Sequence, residues 1–261
     1  LCEKFSISRQ TARQAIAVLE KEGLVLKKQG SGTYVNPIFT ETKTISKNIG
    51  LVTTYLDDYI FPAIISGVEK VLSSNGYNTT LRLTRNKINN EREQLLSLLK
   101  SDIDGLIVEG TKSALPNPNL DIYRQFSERG IPVVFINSYY NSLDCNYVIV
   151  DDEEGGRLAT KHLIEQGHKK ITGIFKYDDL QGNLRYKGFL TEMSENNLSV
   201  DESTIIWYST ENMEQQFCLE NLRTLLHKLN DSTAIVCYND QIAMKLMQLL
   251  SHSHLSVPND L

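Results

Sequence analysis

The chain has 261 residues, of which 41% are hydrophobic and 23% charged, a composition typical of a folded globular protein and not of a disordered one. No apolar run approaches the roughly 18 to 20 residues that a membrane span requires, and the first residues, LCEKFSISRQ, lack the apolar core of a signal peptide. We therefore expect a cytoplasmic protein. The four cysteines are far apart and no histidine or carboxylate completes a metal set with them, so we expect no zinc site, disulfide framework or cofactor.

Charge is divided unevenly along the chain. Residues 1 to 48 hold eight Lys or Arg and four Asp or Glu, a net charge of +4, whereas the remainder holds 19 against 28, a net charge of −9. A small basic segment joined to an acidic body indicates a nucleic-acid contact surface attached to a domain with a different partner.

The first long predicted element is an amphipathic helix with Ser8 as its N-cap and Gly23 as its stop. Its apolar residues follow the i, i+3, i+4, i+7 spacing of one buried stripe: Ala12, Ala15, Ile16 and Leu19. Its other face carries long cationic and amide side chains near the N-terminus: Arg9, Gln10, Arg13 and Gln14. Such side chains read bases in the major groove, but a solvated surface face has the same composition, so the helix alone leaves both interpretations open.

A glycine-tipped hairpin is predicted next, with strands at residues 24–26 and 33–35 and the turn Gly30-Ser31-Gly32. A phosphate-binding loop of the Walker type needs a lysine directly after its last glycine and then a helix, whereas a strand follows Gly32. The nucleotide interpretation therefore fails. Flanked by Lys27 and Lys28, the hairpin is suited to lie against a phosphate backbone or to enter a minor groove, where bulk at the tip would clash.

The combined run S-R-x-T-x-R-x-A-I-x-x-L-E-x-E-G-L-V, followed by K-Q-G-S-G-T-Y-V, resembles the winged helix-turn-helix of the GntR family of bacterial transcription regulators. The resemblance covers residues 1–36 and implies that Arg9 and Arg13 touch bases or phosphates, Thr11 a phosphate, and Gly32 the minor groove. With the reasoning above, the expected DNA-contacting residues are Ser8, Arg9, Gln10, Thr11, Arg13, Lys28, Gly30, Gly32 and Thr33. Because domains of this family have one more helix before the position of Leu1, we expect this one to be truncated at its N-terminus.

After a polar linker, residues 37–47, apolar strands alternate with helical segments to the end of the chain. Predicted strands begin near residues 48, 79, 104, 131, 169, 204 and 232. Nearly continuous apolar strands that alternate with helices indicate parallel sheets covered on both faces. We therefore predict an α/β ligand-binding body of two lobes, residues 48–261, preceded by a partial winged helix-turn-helix, residues 1–36.

Ligands bind beyond the carboxyl ends of the strands in such sheets. The residues predicted at these ends are mostly aromatic, amide and acidic: Tyr55, Tyr59, Phe61, Glu109, Asn137, Lys176, Tyr177, Asp178, Asp179, Asn239 and Asp240. A sugar needs planar donors and acceptors for its paired hydroxyls and an aromatic face for its C–H surface, and these residue types supply both. Helix capping is an alternative role for each single Asp or Asn.

No recognisable catalytic motif is present, since the chain lacks G-x-G-x-x-G after the first strand of the body and a G-x-S-x-G elbow. The acidic pairs Asp57-Asp58, Asp151-Asp152 and Asp178-Asp179 leave an acid/base couple for glycoside hydrolysis as an alternative. A binding cleft explains these pairs without chemistry, so we expect a protein that is not an enzyme.

The body resembles the effector-binding domain of the LacI/GalR family, which is similar to periplasmic sugar-binding proteins. The segments that carry this resemblance are IGLVTTYLDDYIFPAIISGVEKVLSSNGYN, DGLIVEG, GIPVVFIN, VDDEEGGRLATKHLIEQGHKKI, NLRYKGF and AIVCYNDQIAMKLM. The resemblance implies a sugar site lined by Arg185, Asn137 and Asn239, to which we add Tyr59, Phe61, Glu109, Lys176 and Asp178. Members of the family place a further aspartate from a later V-G-F/Y-D-D segment in this site, so we expect the body to be truncated at its C-terminus.

The pairing of a GntR-type head with a LacI-type body resembles that of L-arabinose-responsive repressors. It implies a sequence-specific, DNA-binding transcriptional repressor of sugar-utilisation genes, with operator DNA, L-arabinose and a second copy in a homodimer as its partners. Three alternatives stay open. The effector could be another sugar or a nucleoside, the protein could be a sugar-binding receptor for transport, or the cleft could belong to an enzyme.

Overall fold

The computed structural model describes residues 2–28, 30–35, 45–57 and 59–261. The chain divides into two compact units, Leu1–Ser46 and Lys47–Leu261. Most of the predicted linker, residues 37–44, lies outside the described residues, as does Asp58.

The first unit contains two helices and a hairpin within its described residues. Its elements are α1 (Cys2–Phe5), α2 (Arg9–Lys21), β1 (Val25–Lys28) and β2 (Gly32–Val35). Helix α2 begins as predicted, because the Ser8 side chain accepts a hydrogen bond from the Thr11 amide. Gly23 then takes a φ of +76°, a conformation that glycine adopts without strain, and the chain leaves the helix. The strands pair antiparallel from Val25↔Val35 to Lys28↔Gly32.

The predicted buried stripe of α2 is wrong for the described residues. No residue of this helix is buried. Ala12 and Ile16 are half-buried, and Leu19 is 37% exposed. The described elements around the helix are the four-residue α1 and the short hairpin. These elements are too small to cover one whole face of a helix of 13 residues.

The second unit begins with a lobe built on a five-stranded sheet. Its elements are β3 (Asn48–Thr53), α3 (Phe61–Ser74), β4 (Asn78–Leu83), α4 (Ile88–Leu99), β5 (Gly105–Glu109), α5 (Leu120–Glu128), β6 (Val133–Ile136) and β7 (Asn146–Val148). The strand order is β4-β3-β5-β6-β7 and every pair is parallel. The core of this lobe packs Val52 and Phe135 from the strands against Leu95 and Phe126 from the helices.

The second lobe has a three-stranded parallel sheet in the order β10-β8-β9. Its elements are α6 (Asp152–Glu165), β8 (Ile171–Lys176), α7 (Leu180–Glu195), β9 (Ile206–Tyr208), α8 (Met213–Gln216), α9 (Leu222–Leu229), β10 (Ala234–Cys237) and α10 (Asp240–Leu250). One face of the sheet packs Phe175 against α7, and the other packs Ile174 against α9 and α10. The predicted two-lobed α/β body with parallel sheets is confirmed.

Helices α6 and α7 approach each other through glycines. An ideal Cβ on Gly156 would lie 2.1 Å from the carbonyl oxygen of Arg185, and one on Gly188 would lie 1.9 Å from that of Glu153. Any side chain at these positions would overlap backbone atoms that have no rotamer to relieve the clash. The two glycines therefore fix how closely α7, which carries Arg185, packs against α6.

We expect Gly188→Ala to lower the free energy of unfolding by about 1 to 3 kcal/mol, because the added methyl group would force the two helix backbones apart. Gly155→Ala is the matched control. It lies in α6, and a Cβ there has no atom within 4 Å. This control should be neutral or stabilise by up to about 1 kcal/mol, since alanine is the better helix former. Urea unfolding followed by circular dichroism measures both changes, and equal stabilities of the two variants would contradict the close-approach argument.

Candidate functional site

A cleft of about 120 Å³ lies between the two lobes of the second unit, at the carboxyl ends of strands from both sheets. Of the eight residues predicted for a ligand site, seven line it: Tyr59, Phe61, Glu109, Asn137, Lys176, Arg185 and Asn239. The carboxyl-end rule thus brings together residues that are far apart in the sequence.

Asp178 is the exception, and the expectation that it lines the cleft is not met. Its side chain is completely buried, at 0% exposure. One carboxylate oxygen lies 3.2 Å from Lys176 Nζ, and the other accepts a hydrogen bond from the Thr210 amide at 3.0 Å. The carboxylate lies within the second lobe and not in the cleft lining, because the chain turns its side chain inward after β8.

The wall from the first lobe is centred on Glu109, which ends β5. One of its oxygens accepts hydrogen bonds from the Thr54 amide at 2.8 Å and the Thr54 hydroxyl at 2.5 Å, and the other accepts from Asn137 Nδ2 at 2.8 Å. Burial raises the pKa of Glu109 to about 7, although the hydrogen bonds from Thr54 and Asn137 act in the opposite direction. In its ionised form, this carboxylate holds the Asn137 amide in one orientation.

Two residues that the sequence analysis did not select extend this network across the cleft. Gln181 on α7 donates to Asn137 Oδ1 at 3.0 Å, and its own Oε1 accepts from the Tyr238 hydroxyl at 3.2 Å. Gln181 could have been found, since it lies four residues before Arg185 in the same helix and so shares its face. Tyr238 directly follows β10, at the strand end where ligand-binding residues were expected.

Lys176 forms part of the wall from the second lobe. Its Nζ lies 2.5 Å from Asp179 Oδ2 and 3.2 Å from Asp178 Oδ1. Burial by itself would lower the pKa of Lys176, but the negative charges of Asp179 and Asp178 outweigh it and raise that pKa above its ordinary value. The lysine is thus a cation held by two carboxylates at the edge of the cleft.

Arg185 is held from three directions. Its Nε and one terminal nitrogen lie 2.9 and 2.7 Å from Asp152 Oδ1, and the other terminal nitrogen donates to the Tyr238 carbonyl. The guanidinium carbon also lies 4.9 Å from the centroid of the Tyr238 ring. A planar fork fixed in this way is suited to present its remaining N–H groups to oxygen atoms of a ligand.

Aromatic residues lie on the first-lobe side of the cleft. The Tyr59 hydroxyl donates to Asp240 Oδ2 of the second lobe at 2.9 Å, and Tyr59 itself has a φ of +50°. Phe61 is buried and makes an edge-to-face contact with Tyr55 at 6.1 Å. Asn239 lines the cleft and also caps α10, accepting from the Ile242 amide at 3.0 Å, so the capping alternative holds for it as well.

Two of the three acidic pairs considered for hydrolysis are engaged in other contacts. Asp151 caps α6 by accepting from the Glu154 amide at 2.9 Å, Asp152 pairs with Arg185, and the pair at 178 and 179 holds Lys176. Asp58 of the remaining pair lies outside the described residues. Within the described part of the chain no group of His, Cys, Asp or Glu is arranged to hold a metal ion, and no helix there has the length and apolarity to cross a membrane.

In the first unit the predicted DNA-contacting residues are exposed on α2 and the hairpin. Ser8 is engaged with Thr11, whose Oγ1 lies 2.8 Å from its hydroxyl oxygen, while Arg9, Gln10 and Arg13 point to solvent. At the hairpin tip Gly30 and Gly32 have φ values of +78° and +127°. The other two selected residues of the hairpin, Lys28 and Thr33, pair with Gly32 and Lys27 across its two strands.

Both units match known protein families. Residues 46–261 match the profile described as periplasmic binding proteins and sugar binding domain of LacI family, and residues 1–35 match that of bacterial regulatory proteins, gntR family. The chain belongs to the LacI family by its body and carries a GntR-type segment at its N-terminus.

The chain is similar along its whole length to two known repressors. It is 42% identical over 268 residues to the arabinose metabolism transcriptional repressor of Halalkalibacterium halodurans, covering 100% of this chain and 71% of the relative. It is 42% identical over 263 residues to the repressor of the same name from Geobacillus stearothermophilus, covering 100% of this chain and 72% of the relative. These relatives confirm the prediction of a transcriptional repressor and argue against an enzyme.

A solved structure with the same fold is the periplasmic binding protein/LacI transcriptional regulator from Alkaliphilus metalliredigens QYMF, complexed with D-xylulofuranose. It is 25% identical to this chain, with a TM-score of 0.67 over 82% of this chain and 76% of that chain. This likeness supports a shared two-lobed fold.

Proposed function

We propose that this protein represses L-arabinose utilisation genes and that L-arabinose, bound in the cleft, releases it from its operator. The observation that carries the proposal is the cleft of about 120 Å³, which joins both lobes and combines amide, charged and aromatic groups. A cavity of roughly 150 Å³ accommodates a molecule of the size of benzene, so a cleft of this order has room for a small ring. The two repressors that are 42% identical to this chain are named for arabinose metabolism, and we therefore choose L-arabinose as the proposed pentose.

The proposed roles follow from the chemistry of the wall. Asn137, Asn239 and Arg185 offer the planar donors and acceptors that sugar hydroxyls require, and Tyr59 and Phe61 offer faces for its C–H surface. Glu109 and Lys176 complete the polar lining. The D-xylulofuranose named with the solved regulator, also a five-carbon sugar, supports a ligand of this class.

Release requires that the sugar bind the two arrangements of the protein with different affinity. A sugar that bound both equally would not move the equilibrium, however tightly it bound. In the proposal, residues 1–36 form the DNA-binding head, residues 37–47 the linker and residues 48–261 the sugar-binding body. Two heads of a homodimer in the cytoplasm bind a two-fold operator.

The direct test is an operator titration with the full-length protein, followed by fluorescence anisotropy of the DNA. We expect L-arabinose to raise the dissociation constant for the operator by roughly 5- to 150-fold, the usual range of allosteric coupling. D-ribose, D-glucose and adenosine serve as comparison ligands. A response to one of these in place of L-arabinose would assign the effector to another class, and no response to any would refute the proposed regulation.

Arg13→Ala should weaken binding to the specific operator by about 1 to 3 kcal/mol and affect random DNA less, because an arginine that pairs with a base contributes to discrimination. Arg223→Ala, which removes an exposed arginine from the second unit, is the charge-matched control and should leave both affinities unchanged. Competition binding with both DNAs measures the difference. Equal losses on the two DNAs would identify Arg13 as a phosphate contact only.

A further inference from the structure

A short loop of the first lobe contacts the second lobe outside the cleft lining. The loop follows β5, and we call its residues Lys112, Ser113 and Ala114 the brace. Lys112 Nζ forms an ion pair with Glu211, Ser113 Oγ accepts from the Leu180 amide at 2.9 Å, and the Ala114 amide donates to the Asp178 carbonyl at 3.3 Å. None of the three brace residues lines the cleft described above.

Ser113 supplies a helix cap from one lobe to the other. The first amides of a helix have no partner within the helix and need an external acceptor. Asp179, at the N-cap position of α7, makes no side-chain cap bond, and its carboxylate is engaged with Lys176. The first residue of α7 is capped instead by Ser113 of the first lobe. Separation of the lobes would therefore remove an acceptor from the helix that carries Gln181 and Arg185.

The brace is anchored firmly within its own lobe. The Thr111 amide donates to the Tyr140 hydroxyl at 2.7 Å, and that hydroxyl donates to Glu91 Oε1 at 2.6 Å. Glu91 is completely buried and also accepts from Tyr123 at 2.7 Å and from Asn117 at 2.7 Å. A buried carboxylate satisfied by several donors forms a rigid anchor.

A second connection runs from the brace backbone. The Lys112 amide donates to Asn86 Oδ1 at 2.7 Å, and Asn86 Nδ2 donates to Thr210 Oγ1 of the second lobe at 2.6 Å. Lys112 itself has a φ of +45°, a conformation that costs free energy for a residue with a side chain. The surrounding contacts hold the loop in this conformation, pointing toward the second lobe.

We propose that the brace holds the two lobes together and thereby sets the affinity for the sugar without touching it. This inference rests on the proposed function and adds to it the residues that regulate the site. Sugar binding needs both walls of the cleft, so the measured dissociation constant is the intrinsic one divided by the fraction of molecules with the lobes together. Weakening the brace lowers that fraction and raises the dissociation constant, while every group that contacts the sugar stays in place.

Lys112→Met and Glu211→Gln are the variants that test this regulation. The Lys112 side chain is 17% exposed and that of Glu211 is 55% exposed. Because solvent screens such a pair, we expect its loss to have a modest effect on sugar affinity. Each substitution should raise the dissociation constant for L-arabinose by about two- to fivefold, and the double variant should behave like a single one. Lys245→Met is the matched control, since it breaks an ion pair with Glu214 that lies within the second lobe.

Hydrogen exchange of the amides at residues 178–183, measured without sugar, gives a second readout. Lys112→Met leaves Ser113, the acceptor of the Leu180 amide, unchanged. It should still speed exchange of this amide by about two- to fivefold, because loss of the ion pair lets Ser113 move away from the amide more often. Lys245→Met should change neither quantity. Unchanged affinity and unchanged exchange in Lys112→Met would overturn the inference. If the unmodified protein did not bind L-arabinose, the proposed effector would fail, and the exchange comparison would still decide whether the brace holds the lobes.

Discussion

Arg185→Ala is expected to abolish sugar-induced release of the operator at sugar concentrations near the dissociation constant of the unmodified protein, while operator affinity without sugar stays unchanged. The substitution removes a guanidinium that is fixed by Asp152 and by the Tyr238 carbonyl at the wall of the cleft. It also leaves Asp152, which is 3% exposed, without its cation. Loss of hydrogen bonds from a charged group to a ligand should weaken sugar binding by about 10- to 100-fold. Calorimetry with L-arabinose and anisotropy with operator DNA measure the two quantities separately.

Two further substitutions separate the chemistry of Arg185 from general damage to α7. Lys187→Ala lies two residues on in the same helix and removes an ion pair with Glu153, so it should leave the sugar response intact. Arg185→Lys keeps the charge but loses the planar fork, and an ammonium cannot reach the carboxylate and the Tyr238 carbonyl together. The sugar affinity of Arg185→Lys should lie between that of Arg185→Ala and that of the unmodified protein. Unaltered release in Arg185→Ala would refute the assignment of this residue to the sugar site.

Much of the fold could be predicted because each buried strand is a short apolar run in the sequence. All six residues of β8, from Ile171 to Lys176, are buried, and the segment KKITGIF predicts this strand from the sequence. Strand β7 escaped prediction, since its three residues are all exposed and are too few to show a period. The stripe on α2 was predicted as buried from its spacing, but spacing indicates which face is apolar and not what covers it.

The candidate site was predictable in position but not in detail. The rule that parallel strands end at one edge placed Glu109, Asn137 and Asn239 together correctly. It could not say which of the successive residues after β8 turn toward the cleft, and so it included Asp178, which turns inward. Contacts such as Lys112 with Glu211 join residues 99 positions apart. Nothing in the local pattern of a single sequence specifies such pairs, because they depend on how the two lobes meet.

Glu109 should make the protein less stable as the pH rises through the acidic range. Burial raises its pKa from the ordinary value of 4.5 to about 7. The unfolded chain releases this proton near pH 4.5, whereas the folded protein keeps it until about pH 7, so the folded state binds more protons in between. Stability from this group is therefore fully present below pH 4.5 and is lost progressively as the pH approaches 7. The difference between the two values corresponds to about 3 kcal/mol.

Glu109→Gln removes this titration. Between about pH 4.5 and pH 8, the free energy of unfolding of the variant should therefore rise relative to that of the unmodified protein, by up to about 3 kcal/mol. The gain is independent of any constant offset that the amide introduces. Urea unfolding at several pH values measures it. Glu128→Gln, which removes a carboxylate at an exposed position of α5, is the matched control. Parallel curves for Glu109→Gln and the unmodified protein would contradict the buried, protonated carboxyl.

The same proton should affect sugar binding through Asn137. While Glu109 is ionised it accepts from Asn137 Nδ2, which directs Oδ1 of that amide toward Gln181 across the cleft. A proton on the facing oxygen of Glu109 replaces an acceptor by a donor, so the Asn137 amide must turn round and present its NH₂ group to the cleft instead. L-arabinose affinity of the unmodified protein should therefore change through about pH 7, whereas that of Glu109→Gln, which cannot ionise, should not. The same pH profile in both proteins would show that Glu109 does not set the orientation of Asn137.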